Sequence, residues 1–235
     1  MSEGISDISG TGARGEFLSR VRHALGHTAQ GDAAGAGPPP VRTERLIRQV
    51  GAADPRRVER WISMAGKNGM KVFRSRAIGL NQAVDACLQN SGVRSIMLNV
   101  ANVPDAGLAS HLAGESYQVS QWGEPGCAQR VYECDAAITD CRFGLADTGA
   151  LVVWSDSGFG RSTTLTVPLH IALLPASCIL PDLMDAMPKI RKQTGGLIPS
   201  NVVIINGPSK TADIEMNLVT GVHGPKFLRV IVIED

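Results

Sequence analysis

The sequence predicts an α/β protein built on a mostly parallel sheet with helices on both faces. Three observations carry that prediction. Segments with helical apolar spacing alternate along the chain with short runs rich in Val, Ile and Leu. The runs at residues 202–205 and 227–233 are strongly apolar, as strands covered on both faces are. Finally, 235 residues with 43% hydrophobic content suffice for one substantial core.

Taken in order, residues 1–14 are small and polar. Phe17, Val21 and Leu25 then fall at helical spacing, with Leu18 and Ala24 widening the stripe and Gly26 as a stop. Residues 29–40 are Gly, Ala and Pro-rich and end in three prolines, which is a linker by composition. The chain therefore divides into a tethered N-terminal helix, residues 1–40, and an α/β domain, residues 41–235. In that domain the spacing predicts helices at 43–50, 55–67, 78–88 and 182–191, with a short one around His111. Strands are predicted at 70–73, 95–99, 117–120, 137–139, 143–146, 150–154, 170–174, 202–205 and 227–233. Gly149 lies between two of them, so residues 143–154 read as a local β-hairpin added to the main sheet.

Charge and composition exclude some functions. Twenty-three basic against 22 acidic residues give a net charge of +1, and aromatics are only 4%, so neither a nucleic-acid footprint nor a base-stacking platform is indicated. No N-terminal segment reads as a signal peptide and no apolar run approaches a membrane span, so a soluble cytoplasmic protein is expected. The five cysteines include no C-x-x-C pair. No intrinsic iron–sulfur or zinc site, and no other intrinsic cofactor or metal, is expected.

Several polar stretches interrupt the apolar ones. Asp147-Thr148-Gly149 sits between two strands: it reads either as a turn or as a carboxylate held at a strand end for proton or hydroxyl chemistry. The segment 157–164 contains Gly158-x-Gly160, but Thr163 occupies the third glycine position of a dinucleotide fingerprint, leaving Arg161 as a candidate anion fork. His170 opens an apolar run, whereas His223 sits at a loop tip between glycines. The densest cluster is Gly207-Pro208-Ser209-Lys210-Thr211-Ala212-Asp213-Ile214-Glu215, followed by Gly221-Val222-His223-Gly224-Pro225. Thr211 as N-cap would start a short helix with Ile214 and Leu218 facing inward. Amides near Ser209 and the Lys210 ammonium suit an anion, while Asp213 and Glu215 oppose one. The carboxylates either accept hydrogen bonds from a ligand hydroxyl or brace the loop.

Together these motifs resemble the LUD-domain family, the lactate-utilisation protein C-like proteins. The resemblance rests on residues 146–151, Arg161, the Pro168-Leu169-His170 strand entrance, residues 207–215 and residues 221–225, in that order. It implies a fold like that of ribose-phosphate isomerases, glucosamine-phosphate deaminases and CoA transferases. It also implies a part in oxidising L-lactate to pyruvate beside iron–sulfur partner proteins, which would carry the clusters. The alternatives kept beside it are a non-catalytic scaffold docking those partners and a phosphosugar or CoA-ester enzyme. The site expected from the sequence gives Asp147, His170, His223 and Glu215 the proton and hydroxyl work. Thr148, Gly149, Arg161, Gly207, Ser209, Lys210, Thr211, Asp213 and Gly224 would hold a small hydroxy-acid or other anionic ligand.

Overall fold

The computed structural model describes residues 11–24, 50–101, 103, 107–196, 198–212 and 218–234. Two compact units divide the chain, residues 1–47 and 48–235. In the first, Thr11–Ala24 forms helix α1, beginning earlier than the apolar spacing predicts. Its Phe17 is 64% exposed, and Leu18 and Val21 are exposed too. Leu25, Gly26, the predicted linker and all of the predicted 43–50 helix except Val50 lie outside the described residues.

The second unit opens with α2 (Arg57–Lys67), β1 (Lys71–Arg76), α3 (Leu80–Leu88), β2 (Ser95–Asn99), α4 (Leu108–Gly114), β3 (Gln118–Gln121), α5 (Cys127–Arg130) and β4 (Ala136–Asp140). There follow β5 (Phe143–Leu145), β6 (Ala150–Trp154), β7 (Leu169–Pro175), β8 (Ile179–Leu180), α6 (Leu183–Gln193) and β9 (Val202–Ile205). The chain then forms β10 (Lys210–Ala212), β11 (Leu218–Thr220) and β12 (Phe227–Glu234). Six strands make one sheet in the order β1-β12-β7-β4-β2-β3, and every pairing in it is parallel.

Strand periodicity assigns the core. On β7, Leu169, Ile171 and Leu173 join Val84 and Leu88 of α3 and Leu108 and Leu112 of α4. The alternate residues Ala172 and Leu174 join Trp61 and Ala65 of α2 on the opposite face. A strand buried on both sides is apolar at nearly every position, which is why β7 and β12 read as mainly apolar runs, interrupted by His170 and Arg229.

Two predictions about the second half are corrected. The hairpin at residues 143–154 is not added to the main sheet; with β8 and β9 it forms a separate four-stranded sheet, β8-β5-β6-β9. Alternation along β6 explains this layer. Leu151 and Val153 pack toward the main sheet, while Ala150, Val152 and Trp154 pack with Ala186 and Ile190 of α6. Strand β9 belongs here too, antiparallel to β6. The second correction is the helix expected after Thr211. Lys210–Ala212 is a strand paired antiparallel with Leu218–Thr220, Thr211 opposite Val219. Thr and Val both suit a strand better than a helix. Two bonds fasten the segment, from Ser209 N to Pro225 O at 2.9 Å and from Gly221 N to Ser209 O at 3.0 Å.

Sheet order also contains a reversal point. From β2 the chain moves outward to β3, whereas from β4 it moves the other way to β7. Ligand crevices in open α/β sheets form where strand order reverses, outside the carboxyl ends. Here that point lies between Asn99 and Asp140, and the Ala101 N–H donates across it to Asp140 Oδ2 at 3.2 Å. At the opposite end, the Asp135 carboxylate accepts from the N–H groups of Arg94 and Ser95 at 2.9 and 3.0 Å. These bonds, led by that from Arg94, hold its carboxyl below the usual range. Among the described residues no helix is long and apolar enough to cross a membrane.

Candidate functional site

The Asp147–Gly149 turn joins β5 to β6 and is tied down by its backbone. Ala146 N donates to Leu180 O at 2.8 Å, Asp147 N to Pro181 O at 2.9 Å and Gly149 N to Leu145 O at 2.8 Å. Gly149 has φ +71, and a Cβ there would lie 2.3 Å from Ala65 N of α2. The turn therefore rests directly on the helix backbone. Asp147 does not stand free: Arg60 Nε, one turn up α2, donates to its Oδ1 at 3.2 Å, both side chains being partly buried.

Asn68, at the carboxyl end of α2, connects this turn to the loop after β9. Its Nδ2 donates to Thr148 O and to Asn206 Oδ1, each at 2.7 Å. Gly207 follows with φ +110, and a Cβ there would come within 2.5 Å of Asn68 O. Lys210 Nζ lies 3.5 Å from where a Cβ on Gly69 would stand, and Gly224 packs against Ser209 in the same way at 3.2 Å. The structure thus gathers Asp147, Thr148, Gly149, Gly207, Ser209, Lys210 and Gly224 around Asn68 at the amino ends of β1 and β12. His223 is exposed on the same loop as Gly224, and Lys210 is exposed as well. Thr211 runs in β10, and Asp213 and Glu215 lie outside the described residues.

His170 and Arg161 are not part of that gathering. His170 is fully buried in β7 between Ala137 of β4 and Leu228 of β12. Its Nε2 bonds Thr139 Oγ1 at 2.9 Å, and burial pushes its pKa from 6.5 down to about 4. The folded ring stays neutral over a pH range in which the unfolded one takes up a proton, so stability is present above pH 6.5 and is lost as pH falls toward about 4. In urea titrations this loss is expected to be about 3 kcal/mol, and His170→Gln is expected to flatten that part of the pH profile.

Arg161 is exposed at the start of a 3₁₀ turn, Arg161–Thr164. That turn and the preceding glycines sit over the carboxyl end of β2. With its amide oriented to satisfy both ends, Asn99 donates to Gly158 O at 3.1 Å and accepts from Gly160 N at 3.2 Å. A Cβ on Gly160 would fall 1.9 Å from the Trp122 ring. The glycine here admits an indole, not a pyrophosphate.

Arg60, Asn68, Arg142 and Asp156 carry no motif that singles them out. Arg142 and Asp156 line a crevice of about 600 Å³ with Cys141, Trp154, Ser155 and Cys178, past the carboxyl ends of β4 and β7. Only Arg142's place, three residues past a predicted strand, signals it in the sequence. Burial pushes the Cys141 and Cys178 thiols up, so neither is a ready thiolate. Among the described residues no three His, Cys, Asp or Glu side chains converge as metal ligands.

With this geometry in place, comparison with known proteins decides the family. The sequence pattern of the LUD domain matches residues 58–233. The chain belongs to the LUD domain family. The matched span includes both the loops around Asn68 and the crevice. Lactate utilization protein C of Halalkalibacterium halodurans is 35% identical over 168 residues, 70% of this chain and 73% of that protein. Lactate utilization protein C of Shouchella clausii is 35% identical over 161 residues, 66% of this chain and 69% of that one. An uncharacterized protein of Escherichia coli K12, YkgG, is 28% identical over 229 residues, covering 94% and 98% of the two chains. A solved structure of a DUF162 family protein from Deinococcus radiodurans superposes with a TM-score of 0.57 at 19% identity, covering 75% of this chain and 96% of that one. That last likeness supports the LUD fold alone.

Proposed function

We propose that this LUD-domain chain serves lactate utilisation, as a cytoplasmic component of a system that oxidises L-lactate to pyruvate beside iron–sulfur partner proteins. The observation that carries the reading is the 35% identity to lactate utilization protein C over more than two thirds of both chains. Oxidising a 2-hydroxy acid to a 2-oxo acid removes two electrons and two protons. The clusters of the partners would receive the electrons. In this chain, Lys210 and Ser209 at the amino-end loops would meet an anionic group. His223 would handle a proton, with Asp147 held in place by Arg60.

One observation favours a second reading, a scaffold that docks those partners. Phe17, Leu18 and Val21 of α1 are exposed, and residues 1–40 would tether that helix. Deleting the gene and scoring growth on L-lactate against growth on succinate tests the role itself. The proposal expects a defect on lactate alone; equal growth on both sinks it. Complementation then separates the readings. A chain lacking residues 1–40 fails if α1 docks a partner, and Lys210→Ala with His223→Ala fails if the loops work on a ligand.

A further inference from the structure

The crevice past the carboxyl ends of β4 and β7 has a chemistry that the amino-end loops do not share. Its volume of about 600 Å³ lies within the ordinary range of small-molecule sites. Val103, Pro175, Ile198 and Pro199 give it apolar walls, and among the described residues lining it Arg142 and Asp156 are the charged ones. Arg142 is held from three sides. Its guanidinium stands 5.0 Å from the Trp154 ring centre and 5.9 Å from that of Phe159, and its Nη2 donates to Asp156 Oδ2 at 2.5 Å. Asp156 is fixed in turn, its Oδ1 accepting from Gly158 N at 2.8 Å.

We propose that this crevice binds a small organic carboxylate, with Arg142 as its anchor. A guanidinium has five N–H donors in a rigid fork, and the bond to Asp156 uses one. Its orientation is already set by two rings and a carboxylate, so little side-chain freedom is lost when a second acceptor arrives. A single cation beside a paired carboxylate suits a monoanion; a phosphate, with close to two negative charges and three acceptor oxygens, calls for more positive charge than the lining holds. The apolar walls call for a carbon body on that anion. The crevice opens at the carboxyl end of the sheet, the end at which ligands bind in open α/β folds. The proposal rests on the crevice itself; only the first choice of probes comes from the lactate reading.

Binding to the purified full-length chain tests it, followed by calorimetry and by tryptophan fluorescence, since Trp154 lines the crevice. The probes are L-lactate, pyruvate, the 2-hydroxy and 2-oxo acids of four to six carbons, and the primary amide of each. The acids are expected to bind at least about tenfold more tightly than their amides, and Arg142→Gln to erase that difference. Arg142 is packed between rings, so its loss can prevent folding. Ile198→Trp, at an exposed position of the lining, is the second variant. It narrows the crevice and is expected to weaken every acid at least about tenfold with the melting temperature unchanged. Equal binding of acids and amides, full binding by a folded Arg142→Gln or Ile198→Trp chain, or no binding of any acid up to about 10 mM would each overturn the proposal. A chain that supports growth on lactate yet binds no acid leaves the proposed function standing and rejects this site.

Discussion

Trp61→Ala is expected to destabilise the α/β unit by about 4–5 kcal/mol, the largest effect of any single change considered. Trp61 is fully buried and sits where three layers meet. It packs with Leu151 of β6, Leu174 of β7 and Ile179 of β8, and its Nε1 donates to Ala150 O at 3.0 Å. Truncation leaves a cavity the size of an indole and takes a donor away from a buried carbonyl, adding about 1 kcal/mol. Neighbours have little room to collapse: a Cβ on Gly144 would already be 2.9 Å from both Trp61 Nε1 and Leu174 Cδ2. Against a typical total of about 5–15 kcal/mol, such a loss leaves the unit marginal. Trp61→Phe, which keeps most of the volume but no N–H, is expected to cost about 2 kcal/mol. Urea unfolding of the three proteins checks the order, and a Trp61→Ala chain within about 1 kcal/mol of the parent contradicts the packing described.

Gly149→Ala is expected to cost about 3–4 kcal/mol, from two sources that a control separates. The first is the left-handed backbone, φ +71, worth about 1 kcal/mol for a residue with a Cβ. The second is collision: that Cβ would lie 2.3 Å from Ala65 N and 2.5 Å from Met64 C, helix backbone that cannot swing aside. Relief requires α2 to withdraw from the turn, which also strains the Arg60–Asp147 and Asn68–Thr148 bonds. Gly92 has nearly the same φ, +70, with nothing within 4 Å of its Cβ position. Gly92→Ala therefore carries only the backbone penalty, about 1 kcal/mol. If the two variants unfold at the same urea midpoint, the turn does not rest on α2 as described.

Parts of the site were readable and parts were not, for identifiable reasons. Glycines and polar residues crowded between apolar runs marked residues 147–149, 207–210 and 221–225 as places where backbone is exposed or closely packed. Those segments do meet. What joins them did not show: Asn68 reads as an ordinary polar residue before the Gly69 helix stop, yet its one amide spans sequence separations of 80 and 138 residues. His170, at the entrance of an apolar run, had a weaker claim in the sequence than His223 at its loop tip, yet both stood among the candidates. The burial of His170 follows from lying between β4 and β12, a consequence of strand order. Arg142 carries little signal in the sequence because an arginine after a strand is usually solvated, and the rings that hold it come from β6 and the loop beyond.

Strand and helix identity came from the chain because each residue's burial leaves a local mark, apolar at every position where both faces are covered and at helical spacing where one is. Family membership came the same way, through short motifs in order. Which sheet a strand joins leaves no such mark, since β5 and β6 are buried at every position just as β4 of the main sheet is. The separate second sheet, the antiparallel pair at Thr211, the Asn68 junction and the crevice around Arg142 all depend on pairing between distant segments. That pairing is set by how whole layers pack, and only the folded chain displays it.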